Sequence, residues 1–172
     1  MLQTVIGDLT LAKDTYLCHQ CNCVTNRSAH LARAVFNAFP YADVYSERTE
    51  HSKPGTIELR GNGDDQRWVV ALYGQYYPGK TKYPNSPKDG WGARLGYFKS
   101  CLEALDKLPP GSFAFPWRLG CGAAGGNWDD YLALVQEFAK NHSVTLYRLT
   151  PPKPLSPLSL SPLTALALTP LS

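Results

Sequence analysis

The sequence predicts a three-layer α/β fold, a mixed sheet flanked by helices, and three observations predict it. Short apolar stretches of strand length alternate with segments whose apolar residues recur every three or four positions. The stretches 67–73 and 113–117 are apolar almost throughout, as strands covered on both faces are. A chain of 172 residues is long enough for one domain with a proper core.

In chain order, residues 2–6 and 16–19 read as strands. Residues 29–39 read as a helix stopped by Pro40, because proline disfavours helical backbone in the residue before it. Residues 56–59 and 67–73 read as paired strands joined through Gly61-Asn-Gly-Asp64. The segment 76–89 holds Pro78, Gly79, Pro84, Pro87 and three tyrosines, Tyr76, Tyr77 and Tyr83. A loop of that length in a compact domain reads as a binding flap. Residues 90–107 read as a helix with Leu95, Phe98, Leu102 and Leu105 on its inner face, and 113–117 as a buried strand. A second long helix carries Trp128, Leu132, Val135 and Phe138 at helical spacing. Asn127 is placed to cap it, and Asp129 and Asp130 stand in its first turn. Residues 144–149 close the fold as a last strand.

Composition excludes several classes of partner. Seventeen basic and 14 acidic residues give a net charge of +3 with no block of like charge, so a nucleic-acid partner finds no support. No apolar stretch has the length of a membrane span. Five cysteines, Cys18, Cys21, Cys23, Cys101 and Cys121, and a start without a basic, apolar leader suit an intracellular compartment, cytoplasmic or nuclear. Cys21 and Cys23 with His19 nearby lack a second ligand pair, so they read as buried thiols and neither a metal nor a cofactor is expected. After Leu149 the composition changes to Pro, Leu, Ser and Thr, and 150–172 is expected to be a disordered tail outside a 1–149 domain. Its alternative role is as a ligand for a proline-recognising domain.

Between the strand at 113–117 and the helix beyond it runs Arg-Leu-Gly-Cys-Gly-Ala-Ala-Gly-Gly-Asn-Trp at 118–128. A strand, a glycine-rich turn and a helix N-terminus together can hold phosphate or diphosphate, since glycine lets backbone N–H groups come close. The run is neither G-x-G-x-x-G nor a P-loop. Its plainer reading is a tight turn.

Gly7-Asp-Leu9, His19-Gln-Cys-Asn-Cys23, Lys53-Pro-Gly-Thr-Ile57, Phe115-Pro-Trp-Arg-Leu-Gly-Cys-Gly122 and the closing Val-Thr-Leu-Tyr-Arg-Leu149 follow one another in a particular order and spacing. Over residues 2–149 that pattern resembles the macrodomain family. The nearest branch includes terminal ADP-ribose protein glycohydrolase and the yeast ADP-ribose 1''-phosphate phosphatase. The resemblance implies a macrodomain-like fold and, as partner, ADP-ribose, an ADP-ribose derivative or an ADP-ribosylated protein. Carried onto this chain, it implies that Asp8, with Leu9 beside it, meets the adenine amine and that Asn22 meets the distal ribose. It implies that Leu119, Gly120, Cys121, Gly122, Ala123, Ala124, Gly125 and Gly126 wrap the diphosphate, with Cys121 packed beneath. The plainer readings are a turn-stabilising Asp8 and an Asn22 bonded to its own backbone.

Two departures bear on chemistry. Val24-Thr-Asn-Arg-Ser-Ala-His30 replaces the glycine-rich stretch common in the family. Gln75 and Ala124 stand where the protein glycohydrolase carries its lysine and aspartate, so a lysine mechanism is not expected. His30 is then the titratable candidate for general-base chemistry, its alternative being an exposed histidine in a first helical turn. Arg27 is placed to pair with a terminal phosphate, and Gln75 to bond a ribose hydroxyl. The expected function is ADP-ribose binding with hydrolysis at the distal ribose, the alternative a non-catalytic reader.

Overall fold

A computed structural model of the chain describes residues 1–149. The proline-rich segment 150–172, expected to be a tail, lies outside the described residues. Six strands form one sheet: β1 (Leu2–Ile6), β2 (Tyr16–Asn22), β3 (Ile57–Arg60), β4 (Trp68–Gln75), β5 (Ser112–Pro116) and β6 (Ser143–Arg148). Their order across the sheet is β1-β6-β5-β2-β4-β3, and only β3 runs antiparallel to its neighbour.

Three helices cover the sheet: α1 (His30–Ala38), α2 (Trp91–Leu105) and α3 (Trp128–Phe138). The period-two alternation of the strands divides the core into two clusters. Tyr16 and Cys18 of β2, Val70 and Leu72 of β4, and Phe113 and Phe115 of β5 pack with α2 and α3. The residues between them, Leu17, Val69, Ala71, Tyr73 and Ala114, pack with Val35 and Phe36 of α1. Helices therefore lie on both faces, as the three-layer expectation has it.

The boundaries differ from the sequence reading in instructive places. β2 runs three residues past His19 and β4 two past Tyr73, because Gln20, Asn22 and Gln75 are polar residues that extend the ladder. α1 runs from His30 to Ala38, one residue shorter at each end than the expected 29–39, and stops before Pro40 as expected. On α2 the buried face is Arg94, Phe98, Cys101, Leu102 and Leu105, whereas Leu95 is only partly buried. Among the described residues no helix is long and apolar enough to cross a membrane.

Candidate functional site

The β2–β5 boundary is where the chain changes faces. From β2 it continues into α1 on one side of the sheet, and from β5 into α3 on the other. A crevice opens outside the carboxyl ends of parallel strands at such a switch. The two strands pair at Tyr16↔Phe113 and Leu17↔Ala114, and beyond their ends lies a cavity of about 370 Å³. One wall is the segment from Asn22 to Ala32, the other the turn from Pro116 to Ala124, and Pro78 and Gly79 of the long loop edge it. Among the described residues no aspartate or glutamate lines it; Arg27, His30 and Arg118 do.

The first wall is held by its own polar groups. Asn22 Oδ1 accepts from the N–H groups of Val24 and Thr25 at 3.0 and 2.9 Å. Its Nδ2 donates to Thr25 Oγ1 at 3.0 Å and the Tyr45 hydroxyl at 3.1 Å. Arg48 fastens the same turn, donating to the Thr25 and Asn22 carbonyls at 2.8 and 2.9 Å while its guanidinium lies over the Tyr45 ring. α1 then starts abruptly. Its N-cap residue is Ala29, no side chain caps it, and no acidic residue stands in its first turn. The first N–H groups of a helix have no partner within it, and here Ala29 to Ala32 line the cavity.

In the second wall, Leu119, Cys121, Gly125 and Gly126 donate to carbonyls within the turn. Among the described residues the N–H groups of Gly120, Gly122, Ala123 and Ala124 have no backbone acceptor. Gly120 holds φ 73°, and a β-carbon there would meet the Tyr131 ring at 2.6 Å. Gly122 is different, since a β-carbon would touch nothing within 4 Å. α3, beyond the turn, is closed by its own cap: Asn127 Oδ1 accepts from the Asp129 N–H at 2.9 Å.

Beneath and beside the cavity a chain of polar contacts joins distant segments. Gln20 Nε2 donates to Gln75 Oε1 at 2.6 Å, and Gln75 Nε2 to the Tyr77 carbonyl at 2.9 Å. That carbonyl also accepts from Arg94, which forms a buried pair with Asp89 at 2.6 Å. Arg94 further donates to the Gly79 carbonyl at 2.6 Å and to the Ala124 carbonyl at 3.4 Å, and Asp89 Oδ1 accepts from the Tyr76 and Tyr77 N–H groups. One guanidinium thus ties the long loop to the glycine turn. The sequence reading missed Gln20, Arg48 and Arg94. A buried-face arginine on α2 with an aspartate five residues before it was the available signal for the last.

No protein-family model matches the sequence, and no curated protein matches it. Solved structures do. The Mycobacterium tuberculosis DarG macrodomain superposes with a TM-score of 0.62 at 21% identity, over 87% of this chain and 99% of that one. The Thermus aquaticus DarG macrodomain gives 0.62 at 23%, over 88% and 99%. An Oceanobacillus iheyensis macrodomain mutant gives 0.57 at 13%, over 87% and 84%. The chain has the macrodomain fold.

Within this macrodomain fold the sequence-predicted residues divide into two sets. The cavity brings together Asn22, Arg27, His30, Gln75, Leu119, Gly120, Gly122, Ala123 and Ala124. Asp8, Leu9, Cys121, Gly125 and Gly126 are not among its lining. Asp8 Oδ1 instead accepts from the Thr10 N–H and hydroxyl, both at 2.8 Å, capping the short turn Leu9–Leu11, and Leu9 is buried with the α1 core. Cys121 is buried beneath the turn, and Gly125 and Gly126 face a separate groove beside Trp91. Tyr76 and Tyr77 are not lining residues either; Tyr76 meets His51 at 2.9 Å. Nor does a helix end supply the anion site where the glycine run suggested it. The open N-terminus at the cavity is that of α1, because Asn127 already occupies the end of α3.

The chain's thiols are poor nucleophiles. All five are buried, and burial pushes Cys21 and Cys23 up to about 12 and about 11. Burial also lowers His19, in the core between β2 and α1, to about 4.

Proposed function

We propose that the chain binds ADP-ribose or an ADP-ribose derivative, with the diphosphate held between the start of α1 and the turn 119–124. The observation that carries the reading is a cavity lined by two arginines, a histidine, an uncapped helix start and a turn with unpaired N–H groups, and by no carboxylate. Anions are favoured at such helix ends, and each charge-assisted hydrogen bond there is stronger than a neutral one. The volume is in the range of small-ligand sites. Macrodomain neighbours support the same class of ligand.

Two continuations are proposed from that binding. Hydrolysis at the distal ribose rests on His30, which lines the cavity and is of a side-chain type that serves as general base toward water. Arg27 then holds a terminal phosphate, as in ADP-ribose 1''-phosphate. A non-catalytic reader of ADP-ribose or ADP-ribosylated protein is favoured by the amides of Asn22 and Gln75, which are already engaged with their own surroundings. An intracellular site of action belongs to the proposal, in keeping with five unpaired thiols. Calorimetric titration with ADP-ribose and with ADP-ribose 1''-phosphate, followed by an assay for released phosphate, separates these outcomes. Release that disappears in His30→Ala identifies the hydrolase, binding without release the reader. No heat with either ligand would sink the proposed function.

A further inference from the structure

Eight described residues hold φ in the left-handed region, and six of them are glycine. The other two are His30 at 50° and Arg118 at 58°. Both line the same cavity. A β-carbon at such a φ crowds the following carbonyl, which is why glycine is the usual occupant. Such strain persists only where the surroundings over-determine the backbone, and it clusters at ligand sites.

At Arg118 the surroundings can be named. The Trp117 N–H donates to the Tyr147 carbonyl at 2.8 Å, and its ring packs on Trp128 with centroids 5.1 Å apart. On the other side Leu119 is buried in the core, and the Cys121 N–H donates to the Arg118 carbonyl at 2.9 Å. With both neighbours anchored, the backbone turns through the left-handed region whatever the side chain at 118. Glycine would make that turn without strain, yet the residue is an exposed arginine on the cavity wall. It takes part in none of the ion pairs among the described residues.

We propose that Arg118 is a ligand-binding residue: its guanidinium grips the ligand's anionic group from the glycine turn, while Arg27 stands on the segment leading into α1. The strained backbone at 118 is kept for that contact. The inference rests on the reading of the cavity as an ADP-ribose site, whose diphosphate is the anion. A guanidinium suits it because its planar fork matches phosphate oxygens two at a time.

The test uses the full chain, as wild type, Arg118→Gly and Arg118→Asn, titrated with ADP-ribose and with inorganic pyrophosphate and melted in parallel. Glycine relieves the strain, so R118G is expected to melt about 2–4 °C above wild type. It should bind ADP-ribose roughly ten- to a hundredfold more weakly. Asparagine tolerates the left-handed region without glycine's freedom, so R118N should lose as much affinity and thereby show that added flexibility is not the cause. Unchanged affinity in both variants, or a lower melting temperature in R118G, overturns the proposal. If the wild type ignores ADP-ribose but binds pyrophosphate through Arg118, the ADP-ribose reading falls and the role of Arg118 stands. If it binds neither, both fall.

Discussion

The starts of α1 and α3 differ in how they are finished. α3 is completed by its own side chains: Asn127 accepts from the Asp129 N–H, and Asp129 and Asp130 offset the positive end of the helix. α1 begins after an alanine, with its first residue strained and no acid in its first turn. A capped helix end is finished as a structure, whereas the uncapped one beside the cavity is half of the proposed binding site. The other half is the turn on the far wall, held by Arg94 from a third segment. The two helices also stand on different footings. α3 packs on Phe113 and Phe115 through Phe138, while Phe36 of α1 packs edge-on against buried His19.

The largest test of that contrast is Arg94→Met. Removing the guanidinium strands the buried Asp89 carboxylate, and breaking a buried pair in this way costs about 3–5 kcal/mol. Chemical denaturation should show that loss, and ADP-ribose titration a further drop in affinity, although Arg94 is not a lining residue of the cavity. A variant of wild-type stability would refute the fastening role.

Acid should act next, through the footing of α1. Burial lowers His19 from 6.5 to about 4 in the folded chain, so the unfolded chain takes up the proton first. Stability is whole above about pH 6.5 and falls as the pH drops from there through about 4, by up to about 3 kcal/mol. His19→Met should flatten that acid limb in pH-dependent unfolding; an unchanged limb would assign it to other groups.

Filling the cavity comes third. Gly122→Trp meets no neighbouring atoms at its β-carbon, so the melting temperature should hold while ADP-ribose affinity drops at least tenfold, about 1.4 kcal/mol. Retained affinity would remove this part of the turn from the site. The smallest pair sharpens the contrast directly. Asn127→Ala should cost about 1 kcal/mol of stability and leave binding alone, whereas Ala29→Asp should add a similar amount and weaken binding by placing a carboxylate at the proposed anion seat. Equal behaviour of the two helix ends in melting and titration would erase the distinction.

Much of the fold was legible because it follows from short-range rules. The unbroken apolar run of β4, buried on both faces, the stop at Pro40 and the Asn127 cap each depend on residues within a few positions. The cavity lining was legible in part. Glycines at 120 and 122 marked the turn, and Asn22, His30 and Gln75 stood at strand or helix ends, whereas Asp8 caps a local turn and Leu9 packs in the core, away from that lining. Arg94 escaped because, Asp89 five residues before it apart, its partners from Tyr77 to Ala124 are scattered over nearly fifty positions.

What the sequence alone determined was the kind of each element and the presence of an anion-suited glycine turn, since side-chain period, proline and glycine act locally. Only the tertiary structure decided which helix start meets that turn. Parallel strands need long crossovers, so β2 and β5 lie side by side although some ninety residues separate them, and their pairing sets the open end of α1 across from residues 118–124.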